Sequence, residues 1–272
     1  MYDLHLHSCH SDGALSVAEI LAQAQARGVK QLSITDHDTV AAYAHIDAVD
    51  LGDLRIIPGC EFSTQWRGRD IHIVGLNLQL AHAQLDQAMQ QQAKARLLRA
   101  EHIDAALAKL GLRETLAGAL LKAGRATIGR PHFAQHLVDR GAVKSMAEAF
   151  KRYLGAGKAG DIKAHWPSME TACDWINAAG GTAVIAHPLK YKMTLTKLRN
   201  LIEEFKATGG AAIEVICSMQ QPNHTITLAD LATRYDLLAS AGSDFHRPGQ
   251  PWADLGRVAP LPVQCQPVWS TW

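Results

Sequence analysis

Apolar residues recur along this chain in two different periods, and the places where the period changes mark its organisation. Near the N-terminus, short apolar runs alternate with stretches of helical spacing. Tyr2–Leu6, Gln31–Thr35, Arg55–Pro58 and Ile71–Leu76 read as strands. Ser16 to Arg27 reads as a helix, with Ser16 as N-cap and Glu19 three residues later as its capping-box partner. Gly28 ends it with a residue tolerant of left-handed backbone. A second helix is predicted at Thr39–Asp50. From His82 to Leu110 the chain is rich in Ala, Gln and Leu without Pro or Gly, which predicts one long helix. Shorter helices follow at Glu114–Ala123, Arg130–Arg140 and Ser145–Leu154. Alternation resumes after Pro167: helix Met169–Ala179, strand Thr182–Ala186, helix Leu195–Thr208, strand Ala211–Ile216, helix Thr225–Tyr235 and strand Leu237–Ser240.

Alternating strands and helices predict an α/β fold built on a parallel sheet or barrel. The all-helical stretch, residues 86–165, then reads as an insertion domain within a β/α domain made of 1–85 and 166–272. Without the insertion about 190 residues remain, too few for an eight-fold barrel of about 250. A seven-stranded or otherwise incomplete barrel fits the length better.

Composition narrows the class. Apolar residues make up 47% of the chain, ample for a buried core, and no apolar run is long enough to span a membrane. The N-terminus, Met1-Tyr2-Asp3-Leu4-His5, lacks the basic and apolar regions of a secretory signal. The five cysteines are scattered and form no metal-ligand pair, so reduced thiols in a cytoplasmic enzyme are expected. A formal charge of +1 hides an asymmetry. Between Gln90 and His165 lie 14 Lys and Arg against 6 Asp and Glu, while the remainder carries 13 against 20. A basic segment facing an acidic remainder fits an anionic substrate gripped between metal ions and a positive lid. A solvated helical surface would show the same balance.

Fourteen histidines are present, and their placement carries the chemistry. His5 and His7 close the first predicted strand, two residues apart and so on one face. Asp12 lies in the next loop, His37 closes the second strand, Glu61 follows the third and His72 lies in the fourth. His187 closes Thr182–Ala186, and Asp244 and His246 follow the last strand. Barrel active sites gather at the C-terminal ends of strands, so nine such side chains there form a candidate metal-binding set. His10, His45, His82, His102, His136, His165 and His224 lack that placement and are read as structural or surface residues. Glu214 also ends a strand, as either a partner behind a ligand or a structural ion pair. Imidazole and carboxylate without thiolate suit Mn²⁺ first, with Zn²⁺ or Fe²⁺ also compatible. Nine ligands are too many for one ion and divide among two or three. Clustered divalent ions make hydroxide from water at neutral pH and bind phosphoryl oxygens.

His5-Leu6-His7, Thr35-Asp36-His37-Asp38, Glu61-Phe62-Ser63, Ala186-His187-Pro188 and Gly242-Ser243-Asp244-Phe245-His246 together resemble the polymerase and histidinol phosphatase (PHP) family of metallophosphoesterases. The resemblance implies a distorted (β/α)₇ barrel with up to three metal ions. It implies one ion held by His5, His7, Glu61 and Asp244, a second by Glu61, His72 and His187, and a third by Asp12, His37 and His246. Gly129-Arg130-Pro131-His132-Phe133-Ala134 and Tyr153-Leu154-Gly155-Ala156-Gly157-Lys158 resemble the helical insertion of a bacterial subgroup. That subgroup holds nucleoside 3′,5′-bisphosphate 3′-phosphatases and 5′-to-3′ exoribonucleases. It implies that Arg130, His132 and Lys158 meet the substrate's phosphates, Arg130 through two parallel hydrogen bonds. Ala159-Gly160-Asp161-Ile162 departs from the subgroup's proline-aromatic pattern.

The expected activity is therefore hydrolysis of the 3′-phosphate of a nucleoside 3′,5′-bisphosphate by a metal-bound hydroxide. The same chemistry would trim short 5′-phosphorylated RNA. Aromatic residues are only 6% of the chain, and the insertion offers few for stacking bases, notably Phe133, Phe150 and Tyr153. An amidohydrolase acting on a C–N bond would use His5, His7, His72, His187 and Asp244 but leaves Asp12, His37 and His246 without a task. A binding domain that had lost catalysis would be expected to lack ligands, and none is lacking. The partner implied is a small nucleotide or short oligoribonucleotide, with no membrane and no protein partner.

Overall fold

Short strands carry the chain to one end of the molecule, and helices packed on their outer faces return it. The computed structural model describes residues 1–46, 50–163 and 166–272. In the first sheet, β1 (Tyr2–Asp3), β2 (Gln31–Leu32) and β3 (Arg55–Ile56) pair in parallel in that order. In the second, β4 (Gly59–Trp66) and β5 (Arg69–Leu76) form an antiparallel hairpin. β5 also runs antiparallel to β6 (Thr182–Ile185), and β6, β7 (Ala212–Cys217) and β8 (Leu238–Gly242) are parallel. Among the described residues no continuous ladder closes the two sheets into one. They are tied at both edges instead. Leu4 N donates to Ala241 O at 3.0 Å and His7 N to Phe245 O at 2.9 Å on one side, and Asp38 N donates to Glu61 O at 3.0 Å on the other.

Helix α1 (Val17–Ala26) forms where its pattern places it. Ser16 accepts from Glu19 N, and the Glu19 carboxylate accepts from Ser16 N at 2.8 Å, completing the capping box. Val17, Ile20, Leu21 and Ala24 fall on one helical face and are buried, each larger side chain contributing roughly 1.5–3 kcal/mol. On the second sheet pack α6 (Met169–Ala178), α7 (Leu195–Ala207) and α8 (Pro222–Arg234), with Ile176, Leu201, Phe205 and Leu228 in one apolar cluster. A further cluster joins the two sheets: Leu4 and Ile57 pack with Val74, Val184 and Ala212.

Between β5 and β6 the described residues contain no strand. Helix α2 (Ala83–Ala108) is followed by α3 (Thr115–Ala123), α4 (Arg130–Asp139) and α5 (Met146–Ala149), which runs on into a π-helical turn at Phe150–Leu154. These helices share their own cluster around Ile103, Leu107, Phe133 and Leu137. The first turns of α2 belong elsewhere, since Leu85 and Ala88 pack with the second sheet. One helix therefore threads both cores.

The structure corrects the expected elements in several places. Glu61 follows β3 as expected but lies inside β4, an eight-residue strand absent from the prediction. Arg67 and Gly68, both with positive φ (47° and 72°), turn the chain back as a two-residue hairpin, so β4 and β5 are antiparallel and the sheet is mixed rather than parallel. Nearly every β4 residue is buried, and a strand covered on both faces lacks the polar alternation that would reveal it. The helix expected at Thr39–Asp50 is a short 3₁₀ helix, Ala41–His45, with residues 47–49 outside the described set. Its Tyr43 hydroxyl donates toward Ile34 O and accepts from Gly59 N at 2.7 Å, which binds this segment to the strands. His165 also lies outside the described residues. Helix α8 starts earlier than expected, at Pro222, whose fixed φ suits a first helical position.

Candidate metal centre

Glu61, wholly buried, is the hub of the expected ligands. Its Oε1 lies 2.8 Å from both His72 Nδ1 and His187 Nε2. Its Oε2 faces His37 Nδ1 at 3.0 Å, His5 Nε2 at 3.2 Å and His7 Nε2 at 3.3 Å. Asp244 Oδ1 stands 3.4 Å from His7 Nε2 and 3.6 Å from His246 Nδ1. Asp12 Oδ1 is 3.5 Å from His246 Nε2 and 3.9 Å from both His7 Nδ1 and His37 Nε2. All nine expected side chains thus converge. Three overlapping groups bring their ligand atoms within 4.8 Å of one another: His7, Asp12, His37 and His246; His5, His7 and Glu61; His37, Glu61 and His72.

These residues fit divalent cations on a count of unmet polar atoms. His5 Nε2, both ring nitrogens of His7, Asp12 Oδ1, His37 Nδ1, Glu61 Oε2 and His187 Nδ1 are buried without a hydrogen-bond partner. Buried polar atoms are ordinarily satisfied, and this many unpartnered on one cluster of imidazoles and carboxylates make a donor set suited to divalent cations.

Electrostatics divide the set. Burial disfavours charge on His5 and His7, yet the carboxylates outweigh it. Glu214 and Glu61 hold His5 well above its ordinary range, and Asp244 and Glu61 lift His7 to about 10. His37 goes the other way, pushed down to about 4 chiefly by burial, and burial also lowers His187. For Glu61 and Asp244, burial resists ionisation, but the surrounding imidazoles overcome it, as does Lys190 beside Asp244. Without a bound cation, the surrounding carboxylates thus favour the protonated form of His5 and His7.

The scaffold behind the ligands is specific. Glu214 accepts from His5 Nδ1 at 2.7 Å and from the backbone N of His187 at 2.5 Å, and so stands behind two of the candidate ligands. Asp36 accepts from Ser8 N at 2.7 Å and from Ser11 Oγ at 2.6 Å, fixing the loop that carries Asp12. Asp3 accepts from Ser243 N and Gly256 N, both at 2.8 Å, and holds the last loop to the first strand; burial raises its carboxyl to about 6. His187 and Asp244 adopt left-handed backbone (φ 29° and 51°), strained geometry of the kind found where structure serves a site. At Gly242 a Cβ would lie 2.4 Å from that of His5, so only glycine permits the close approach of β8.

A cleft of about 110 Å³ opens beside Asp12, His37 and His72. Arg96, Arg99, Arg130 and Trp166 line its other walls. Arg96 is fixed by Asp38 (2.6 Å), Ile128 O (3.1 Å) and Ser63 Oγ (3.2 Å). Burial and the neighbouring guanidiniums of Arg130 and Arg96 lower Arg99 to about 10. Asp38 pairs with Arg96, Asp161 pairs with Arg130 and Asp70 also lines the cleft, so these guanidiniums offer an anion N–H donors rather than an uncompensated positive charge. Sequence reasoning named Arg130 but missed Arg96, Arg99 and Trp166; the i, i+3 spacing of the two arginines on the predicted long helix was the available signal. His132 sits at the start of α4, where its Nδ1 accepts from Gly129 N at 3.0 Å, and Lys158 is exposed and does not line the cleft. Lys190, also missed, pairs with Asp244.

Comparison with known proteins agrees with this geometry. Residues 3–252 match the family model described as PHP domain. The chain is 44% identical over 272 residues to a 5′-3′ exoribonuclease of Haemophilus influenzae, covering 99% of this chain and 98% of that one. It is 41% identical over 271 residues to a 3′,5′-nucleoside bisphosphate phosphatase of Chromobacterium violaceum, covering 98% and 94%. A solved structure from Chromobacterium violaceum, described as an amidohydrolase with bound sulfate and no metal, superposes with a TM-score of 0.90 at 40% identity, covering 99% and 95%.

Proposed function

The chain belongs to the PHP domain family and is a metal-dependent phosphoesterase, and from that premise we propose that its substrate is a nucleoside 3′,5′-bisphosphate, such as adenosine 3′,5′-bisphosphate, from which it removes the 3′-phosphate. The observation that carries this reading is the convergence of nine ligand side chains, many with vacant buried atoms, beside a cleft walled by three arginines.

We assign His5, His7, Glu61 and Asp244 to one ion, Glu61, His72 and His187 to a second, and Asp12, His37 and His246 to a third. The two faces of the Glu61 carboxylate support its bridging role, one toward His72 and His187 and the other toward His5 and His7. Two or three divalent ions, manganese foremost, would supply an acidified water and charge neutralisation at phosphorus. The chain's own part is positioning. Glu214 fixes the ring of His5 and the backbone of His187, Asp36 fixes the Asp12 loop, and Arg96, Arg99 and Arg130 bind the anionic end of the nucleotide away from the reacting phosphate. Of the three phosphate contacts expected from sequence, the cleft supports Arg130 best. His132 braces the start of α4 next to it, and Lys158 acts at longer range.

We read residues 86–165 as a helical lid over a distorted (β/α)₇ barrel made of 1–85 and 166–272. The separate apolar cluster of the helices supports the division. The edge ties between the sheets, with the shared cluster of Leu4, Ile57, Val74 and Val184, support the barrel. Among the described residues no helix is long and apolar enough to cross a membrane. Five free cysteines support a reducing, cytoplasmic setting.

A second reading, trimming of short 5′-phosphorylated RNA, is supported by the 44% identical exoribonuclease. Amidohydrolase chemistry, in the name of the solved relative, leaves Asp12, His37 and His246 without a role, although they crowd the same centre. The test is to strip the protein with chelator, restore manganese, and measure bound metal together with turnover of adenosine 3′,5′-bisphosphate. His7→Ala and His246→Ala should lose metal and fall by more than the roughly 10–100-fold that removing an outer partner costs. Variants that keep wild-type activity, or a wild type that takes up no metal, would overturn the assignment.

A further inference from the structure

A second cavity reaches the same centre through other residues. It measures about 330 Å³, against about 110 Å³ for the arginine cleft, and touches Asp12, Asp244 and His246. That volume falls at the lower end of the roughly 300–1,000 Å³ typical of small-ligand sites. Its remaining walls have the chemistry of a nucleotide site: the cations Lys190 and Arg247 beside the aromatics Phe150 and Trp252. Arg247 Nε is buried without a hydrogen-bond partner, a donor lacking its acceptor. Trp252 is 60% exposed, unusual for so large an apolar ring and open to stacking.

A bisphosphate does not need this space. In a phosphate monoester the oxygens not bonded to the departing sugar are bare, and a neighbouring cavity is superfluous. In a phosphodiester one of those oxygens carries a second nucleoside, which must go somewhere. We infer that this cavity is a subsite for the nucleoside esterified to the reacting phosphate, with Arg247 and Lys190 meeting its following phosphate and Trp252 and Phe150 its base. The chain thereby accepts a short oligoribonucleotide, its 5′-phosphate at the arginine cleft and its second nucleoside here.

This inference rests on the phosphoesterase reading above. It requires no new chemistry. Water adds its oxygen to phosphorus and loses a proton to solvent. The bond from phosphorus to O3′ breaks, and O3′ leaves with the electron pair and takes up a proton. From a bisphosphate the products are a nucleoside 5′-phosphate and inorganic phosphate. From RNA they are the same nucleotide and a chain one residue shorter that again begins with a 5′-phosphate. The product of one round is the substrate of the next.

The experiment compares wild type with Arg247→Gln and Trp252→Ala on two substrates, a 5′-phosphorylated tetra-adenylate RNA and adenosine 3′,5′-bisphosphate, with manganese supplied. The ratio of kcat/KM for RNA to that for bisphosphate should fall about tenfold or more in each variant. Calorimetric binding of both compounds to chelator-treated protein should show the matching loss of preference for RNA. A ratio and a binding preference unchanged within about twofold overturn the subsite. Should the wild type turn over neither compound, the phosphoesterase reading fails, and the binding comparison still decides the subsite.

Discussion

Five imidazoles meet one carboxylate at Glu61, and the consequences are those of a single residue's charge. Replacing it with Gln removes the carboxylate that faces His72 and His187 on one side and His5, His7 and His37 on the other. Glu61→Gln should bind at least one fewer ion per chain, measured by metal analysis after dialysis. The protons parked on His5 and His7 give the centre a pH signature. A cation must displace the His7 proton, which is held up to about pH 10, so apparent metal affinity should rise with pH from neutrality toward that value. Calorimetry in buffers of differing ionisation enthalpy would register the released proton, and pH-independent binding would contradict the picture. The sign for stability is opposite. A histidine raised in the folded state stabilises the metal-free protein below about 6.5, and that contribution is lost as pH rises through about 10. Thermal melts of chelator-treated protein should therefore decline across that window, less steeply with manganese present.

At the scale of elements, the strands are short, and what positions the ligands is how closely they approach. Gly242 in β8 lets the chain pass against His5, and a methyl group there has no room. Gly242→Ala should cost about 1–3 kcal/mol in urea unfolding and displace His5, lowering metal occupancy as well. By contrast, Ser16→Ala strips the capping box from α1, a helix that carries none of the nine candidate ligands. It should cost about 1 kcal/mol while leaving metal content unchanged. The pair separates stability from function, because Gly242 packs against His5 whereas the Ser16 hydroxyl bonds only within its own cap, to Glu19.

Across the whole molecule, Arg96 joins the helical segment to the strand ends. From α2 it reaches Asp38, Ser63 and the carbonyl of Ile128, and it lies next to Trp166. Arg96→Met would leave the buried carboxylate of Asp38 without its countercharge, an imbalance worth about 3–5 kcal/mol. Hydrogen exchange should then show the amides of α2 and α4 opening more readily, while β4 and β5 stay protected. Uniform loosening of both would mean that the helices and sheets share one cooperative core despite their separate apolar clusters.

The sequence by itself determined what local rules can encode. The α1 capping box, the long α2, the helices that follow it and all nine candidate ligands could be read from spacing and residue type, because each depends on neighbours a few positions away or on chemistry that few residue types supply. The hairpin of β4 and β5 escaped it, since a strand covered on both faces shows no alternation and antiparallel pairing is a property of two segments together. So did Arg96, Arg99, Lys190 and Arg247, whose long side chains look alike on any helix or loop. Only the tertiary structure decided that Glu214 and Asp36 brace the candidate ligands and that two cavities meet at Asp12, because those facts are distances between residues far apart in the chain.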